Sequence, residues 1–277
     1  MNKNIIHKTA LISNKAKIGD NVSIGPYCII EDDVIIGDNT KIDSHSIIKQ
    51  YSTIGQNSHI FSHCVIGEIP QDKKYEGEKT NLIIGDNTVI REFCTLNRGT
   101  KDSGTTQIGD DCLLMAYVHI GHDCIINNHI ILANGVQLGG HVCINDYAII
   151  GGLTPVHQFC KIGEHSLVGG GLRVVQDIPP FIIANGQPLK FSGINALGLR
   201  RRGFSASQRT NIKNAYKIIY NSNHNKSQAL EKIKSDLTVL QTVDSATQIQ
   251  AGKSLIHQAS LFLKDPSFKD FTTQANA

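Results

Sequence analysis

An aliphatic residue returns every six positions from Ile5 to Ile178, with small and polar residues between. In register the chain reads KIGDNV, SIGPYC, IIEDDV, IIGDNT, KIDSHS, IIKQYS and TIGQNS. The second position of each hexad, residues 6 to 174 in steps of six, gives 29 slots, and Ile, Leu or Val fills 26 of them. The exceptions, Asp72, Glu78 and Asp102, mark two segments, 71–82 and 101–106, as loops. A period of six suits neither a helix of period 3.6 nor an amphipathic strand of period two. It suits a solenoid in which each short strand turns one large side chain inward and then rounds a corner. The sixth position is small (Ala10, Ala16, Val22, Cys28, Val34, Thr40) and lies two residues before the next large one. Strand side chains alternate faces, so both point into the core. Positions three to five are rich in Gly, Asp and Asn, which tolerate the left-handed backbone of a tight corner. Three hexads close a turn of 18 residues, and residues 5–178 are expected to form about nine or ten stacked turns.

The pattern resembles the hexapeptide-repeat proteins, which fold as left-handed parallel β-helices; the hand is implied by that resemblance, since parallel crossovers are otherwise right-handed. The register also accounts for the cysteines. Cys28, Cys64, Cys94, Cys112, Cys124 and Cys160 occupy the small inward slot, and only Cys143 does not. Buried thiols of this kind act as small hydrophobes, and no CxxC spacing suggests a zinc site. The repeat stops at Pro179-Pro180, so residues 1–187 are expected to form the β-helix and 188–277 a helical domain. Ser205 and Gln208 match a capping box. Leu230, Ile233 and Leu237 mark a second helix, and Ile256, Leu261 and Leu263 a third. Such a cap would cover the open end of the prism.

The net charge of +3 is divided unevenly. Residues 1–187 hold 14 basic and 19 acidic side chains, and residues 188–277 hold 13 and 5. The basic segment is either a solvated helical surface or a docking face for an acidic partner. Nucleic acid is disfavoured, because aromatic residues do not interleave with the charges. The repeat begins at Ile5 without a leader-like segment, and no apolar run nears 18 residues. A cytoplasmic protein with no membrane insertion is expected.

Stacking places the candidate chemistry. The hexads HIGHDC, QLGGHV and PVHQFC start at residues 119, 137 and 155, one full turn apart. His122, Gly140 and Gln158 therefore share one vertical line, Asp123, His141 and Phe159 the next, and His119 and His157 flank them. Polar corner residues often simply face solvent. A stacked group of four histidines instead suggests a general base or a metal site. Asp123 could orient His122, and the N–H of Gly140 could approach a developing oxyanion. That combination suits acyl transfer to an alcohol.

HIGHDC, LGGH, GGLTPVHQF, IPQDKKY, NRGT and NALGLRRRGF together resemble the UDP-N-acetylglucosamine acyltransferase family, which starts lipid A biosynthesis, over nearly the whole chain. The resemblance implies a homotrimer with active sites between neighbouring β-helices and no cofactor or resident metal. It implies transfer of a (R)-3-hydroxyacyl group from acyl carrier protein to the glucosamine 3-hydroxyl. Residue by residue, it makes His122 the general base, Asp123 its supporting carboxylate and Gly140 the oxyanion donor. His119, His141, His157 and Gln158 match substrate contacts, and Asp72 and Lys74 match residues reaching the sugar nucleotide. Asn195, Arg201 and Arg202 match the nucleotide site, where arginine suits a diphosphate. Gly170 matches a position where glycine leaves the acyl groove long. Asn97 and Leu197 depart from the family's usual His and Glu, which leaves open a 3-amino sugar nucleotide as acceptor. Three other readings stand beside this one. His119, His122 and His141 could be zinc ligands of a trimeric β-helix carbonic anhydrase. The sibling N-acyltransferase usually carries an additional N-terminal domain. A non-catalytic scaffold would not need Asp123 beside His122.

Overall fold

The computed structural model describes residues 3–221 and 228. Its strands are mostly two residues long and begin at the first slot of each hexad, from Ile5–Ile6 through Leu167–Val168. They gather into three sheets. The first sheet has eleven strands, and the second and third have eight each. Pairing is parallel along the repeat and in register, as in Ile29↔Ile47 and Ile131↔Ile149, except for a shift between Ile66 and Glu68 where the first excursion leaves. The three sheets are the faces of a left-handed parallel β-helix, as the repeat and its resemblance led us to expect. In the following, the first corner joins the first sheet to the second, the second corner joins the second sheet to the third, and the third corner returns to the first.

The second-slot residues build the core. From Ile24 onward the aliphatic ones are buried nearly completely, whereas Ile6 is 46% exposed in the first coil, beneath which no described residue stacks. The fifth slot takes the positive φ that a three-residue corner demands: Asp123 has φ 58°, His141 61° and Phe159 66°. Several polar sixth-slot residues are satisfied inside the prism, as where Thr40 Oγ1 donates to the Gly55 carbonyl at 2.7 Å and Ser46 Oγ to that of Phe61 at 2.8 Å. Six of the seven free cysteines are buried and Cys143 is half-buried, matching the register. Burial pushes the Cys124 thiol up to about 12, so it stays protonated and inert at neutral pH.

Two details differ from the sequence reading. The strands Asn81–Ile84 and Thr105–Ile108 begin inside the segments expected to be loops. Leu82 and Thr106 pair across them, so each excursion closes earlier than its polar slot residues implied. The excursions are therefore 69–80 and 98–104, and both leave from the second corner. At the other end, sheet structure crosses the expected boundary at 187/188. Ile182–Asn185 extends the first sheet, and Lys190–Ile194 turns back antiparallel to it.

Helices α1 (Ala196–Arg201) and α2 (Ala206–Asn221) follow. The capping box is present: Ser205 Oγ accepts from the Gln208 N–H at 3.1 Å, and Gln208 Oε1 accepts from the Ser205 N–H at 2.7 Å. Tyr216 of α2 donates to the Pro180 carbonyl at 2.6 Å and stacks on Phe191, which seats the helix against the last coil. The further helices expected around Leu230–Leu237 and Ile256–Leu263 lie outside the described residues.

Candidate active site

The second corner collects most of the candidate chemistry. His119 begins the strand His119–Ile120, which pairs with Gln137–Leu138, which pairs with Pro155–Val156. His122, Gly140 and Gln158 stack above one another in the corners that follow, as the register required. The His122 ring packs closely against Gly140. A Cβ at residue 140 would stand 2.6 Å from Cε1 and 2.7 Å from Nε2 of His122, so no larger residue leaves the ring where it is. The Gly140 N–H has no acceptor among the described residues.

Asp123 is buried and held from several directions. Its Oδ2 accepts from His122 Nδ1 at 2.8 Å and from Thr100 Oγ1 at 2.7 Å. Its Oδ1 accepts from the Thr100 N–H at 2.9 Å and from Ser103 Oγ. Its own N–H donates to Thr106 Oγ1 at 2.8 Å. Burial opposes ionisation, yet the hydrogen bonds from Ser103, His122 and Thr100 outweigh it and hold the carboxyl at about 2. An ionised Asp123 fixes Nδ1 of His122 as the donor nitrogen and leaves Nε2 as a lone-pair base.

His141 stacks on Phe159 with centroids 4.5 Å apart and turns Nε2 to within 3.7 Å of Asp123 and 3.9 Å of Asp102. His119 bonds Thr95 Oγ1 through Nδ1 at 2.8 Å, and burial lowers its pKa, so it is neutral at neutral pH. His157 Nδ1 bonds the Gln158 carbonyl at 3.1 Å, and both side chains are exposed.

The two excursions pack on one another over this corner. Arg98 donates to the Gln50 carbonyl at 3.0 Å and to Tyr75 Oη at 3.1 Å. Asn97 is buried and donates to the Ile69 carbonyl at 2.8 Å, so the residue that departs from the usual histidine clasps the first excursion. Asp72 lies in that excursion and accepts from the Lys74 N–H at 2.9 Å, with the Lys74 side chain exposed.

The remaining candidates lie elsewhere on the prism. Gly170 is exposed on the first corner, above Gly152. Arg202 belongs to the third corner: Nη1 is 3.5 Å from His165 Nδ1, and the guanidinium stands 5.2 Å from the Tyr147 ring centroid. Arg201 is exposed. The Asn195 side chain is committed to structure, donating to the His165 carbonyl at 2.9 Å and capping α1 by accepting from the Gly198 N–H at 3.1 Å. Leu197 is half exposed on α1. One chain therefore shows its candidate site residues on three separate corners.

The zinc triad of the alternative reading is not what the geometry assembles. Among the described residues, those that offer ligand atoms within 4.8 Å of one another are His122, Asp123 and His141, and His119 is not among them. Asp123 stands in its place, and four hydrogen-bond donors already occupy its carboxylate. Thr100 and Ser103 were missed in the sequence. NRGT was noted there as a motif, but the return path of an excursion has no period from which to place it.

Comparison with known proteins agrees with the hexapeptide reading. Residues 15–50 and 105–140 match the model for bacterial transferase hexapeptide (six repeats), and residues 177–255 match that for UDP N-acetylglucosamine O-acyltransferase, domain 2. The chain is 47% identical over 229 residues to the acyl-carrier-protein-dependent UDP-N-acetylglucosamine O-acyltransferase of Thiobacillus denitrificans, covering 82% of this chain and 89% of the relative. The structure of LpxA from Acinetobacter baumannii superposes with a TM-score of 0.84 at 42% identity, covering 93% of this chain and 97% of that one. The UDP-N-acetylglucosamine acyltransferase of Francisella novicida gives a TM-score of 0.86 at 36% identity, covering 95% and 93%.

Proposed function

This chain belongs to the UDP-N-acetylglucosamine O-acyltransferase family, and on that premise we propose that its second corner carries out acyl transfer with His122 as the general base. The acyl donor is a (R)-3-hydroxyacyl thioester of acyl carrier protein, and the acceptor is the 3-hydroxyl of UDP-N-acetylglucosamine. This is the first step of lipid A biosynthesis. The observation that carries the reading is the held dyad: Nδ1 of His122 sits 2.8 Å from an anionic Asp123, beside an N–H of Gly140 that no described residue accepts.

The chemistry follows from that geometry. Nε2 takes the proton of the sugar hydroxyl as its oxygen attacks the thioester carbonyl. The negative charge that develops on the carbonyl oxygen accepts a hydrogen bond from the Gly140 N–H. Asp123 stabilises the imidazolium without taking its proton. As the tetrahedral intermediate collapses, the C–S bond breaks, and the imidazolium returns its proton to the departing thiol of the carrier. His119, His141, His157 and Gln158 line the approach, with Asp72 and Lys74 reaching over it from the first excursion.

We assign the working form to a homotrimer. A nucleotide and an acyl chain need a concave site, whereas one chain carries the base, Arg201 and Arg202, and Gly170 on three different corners. A neighbouring copy supplies the missing wall. The basic balance of residues 188–277 suits an acidic carrier protein, with free thiols suiting a reducing cytoplasm.

The test is an assay of the purified protein with carrier-protein thioesters of several lengths and UDP-N-acetylglucosamine, read by mass spectrometry, with light scattering on the same sample. A 3-O-acyl sugar nucleotide made by a trimer is expected. Carbon dioxide hydration without acyl transfer, or full activity in a monomer, would overturn the proposal.

A further inference from the structure

Asp123 receives its donors from a segment with no catalytic residue of its own. Residues 98–104 leave the second corner and return within seven residues. Several bonds pin that path. The Arg98 N–H donates to the Glu68 carbonyl at 3.0 Å, the Gly99 N–H to that of Asn81 at 3.1 Å, and the Gly104 N–H to that of Thr100 at 2.7 Å. Gly99 is obligatory, because a Cβ there would lie 2.4 Å from the Thr105 nitrogen. The path sets Thr100 and Ser103 against the two carboxylate oxygens of Asp123.

The direction of one of these bonds is fixed. Thr100 Oγ1 accepts from the Asp102 N–H at 3.2 Å, so its single proton points to Asp123 Oδ2. That is the oxygen that receives His122 Nδ1. Ser103 Oγ lies against the other oxygen and has the Thr105 carbonyl as its second neighbour at 3.0 Å. The titratable groups facing Asp123 are His122 and His141, and Asp102 faces His141 in turn.

We infer that Thr100 and Ser103 are positioning residues for the acyl transfer: they keep Asp123 anionic and aimed at Nδ1 of His122, and so set the tautomer and basicity of the base. This rests on the proposed role of His122. Burial by itself disfavours the charged carboxylate, and Ser103 and Thr100, together with His122, supply the donors that reverse this. They also spread its negative charge. Removing a donor leaves more charge on Oδ2, which favours the imidazolium, so the pH at which His122 becomes an active base must rise. The same segment meets the first excursion, since the Lys101 N–H donates to Glu78 Oε1 at 3.2 Å.

The experiment compares full-length wild type with Thr100→Val, Thr100→Ser and Ser103→Ala, using the same thioester and sugar nucleotide. It measures kcat and KM from pH 5 to 9, and thermal unfolding of each variant. Thr100→Val should lower kcat by about tenfold to a hundredfold, with KM changed far less. The acid limb of kcat/KM should move to higher pH by roughly half a unit or more. Thr100→Ser should restore both, and Ser103→Ala should shift the limb in the same direction by less. A folded Thr100→Val with the wild-type limb, or a Thr100→Ser as impaired as Thr100→Val, overturns the inference. If Thr100→Val fails to fold, Ser103→Ala decides, because Ser103 is an exposed residue; an unmoved limb there also overturns it. Absence of acyl transfer by the wild type would instead count against the proposed function.

Discussion

The second and third corners of this prism obey one repeat and do opposite things with it. At the third corner each coil satisfies the one before. The Asp86 N–H donates to Asp110 Oδ1 at 2.7 Å, that of Asp110 to Asn128 Oδ1 at 2.9 Å, and that of Asn128 to Asp146 Oδ1 at 2.8 Å. At the second corner the equivalent slot holds His122, Gly140 and Gln158, and the Gly140 N–H is left without an acceptor among the described residues. Both chain excursions also leave from this corner and none from the third. A ladder of side chains stabilises but uses up its polar groups. Where the ladder is interrupted, backbone donors and imidazoles remain for a substrate, and the excursions supply the holding bonds that neighbouring coils no longer provide.

The contrast can be broken by substitutions at matched slots. Gly140→Ala keeps its N–H but should reduce kcat by about 10²–10³-fold, within the range for loss of a positioned general base, because its Cβ displaces the His122 ring. Asp110→Ala at the third corner should leave kcat unchanged and cost about 1 kcal/mol of stability, read by urea unfolding. Comparable activity losses at both positions would erase the distinction.

The third corner should also show its structural character in acid. His165 lies between Tyr147 and Phe181, and burial, assisted by the Arg202 charge, lowers its pKa to about 4. In the unfolded chain it protonates near 6.5. Its stabilising contribution is thus complete above about 6.5 and is lost as pH falls toward 4, by up to about 3 kcal/mol. Denaturation curves at pH 7 and 4.5 should show this loss, and His165→Phe should lessen it. Asp123 acts in a lower window: its stabilising contribution is present above the usual carboxylate range and fades as pH falls toward 2.

Asp123→Asn should lower kcat by roughly tenfold to a hundredfold, less than loss of the base itself, since the residue orients and stabilises the imidazole. A loss in KM alone would place Asp123 in binding rather than catalysis. The smallest effect belongs to the first corner. Gly170→Met should move preference toward shorter acyl chains by about tenfold per pair of chain lengths tested. Its Cβ would lie 3.1 Å from the Gly152 carbonyl oxygen, so a small local shift accompanies it. An unchanged length profile would remove Gly170 from the acyl site.

Much of this was legible in the sequence because a period of six leaves so little freedom. Once Ile120, Leu138 and Val156 are inward, the order of the strands and the column of His122, Gly140 and Gln158 follow. Legibility ended where the period did. Lys190–Ile194 was assigned to a helical domain because a hairpin at the end of a solenoid has no hexad signal. The early return of the chain at Leu82 and Thr106 was hidden by the charged residues in the slots before them. Thr100 and Ser103 escaped notice because their partner is set by a folded excursion, not by stacking. Asn195 was read for its place in a motif, whereas its side chain caps a helix, a role its residue type also favours.

The central claim is that His122 removes the proton from the attacking hydroxyl, and one measurement addresses it directly. Purified His122→Ala is compared with wild type for single-turnover acyl transfer, with the affinity for UDP-N-acetylglucosamine measured by calorimetry on the same samples. Turnover should fall by roughly 10²–10⁴-fold while nucleotide affinity changes only slightly. Near-native transfer by His122→Ala, or a loss accounted for wholly by weaker nucleotide binding, would contradict the account.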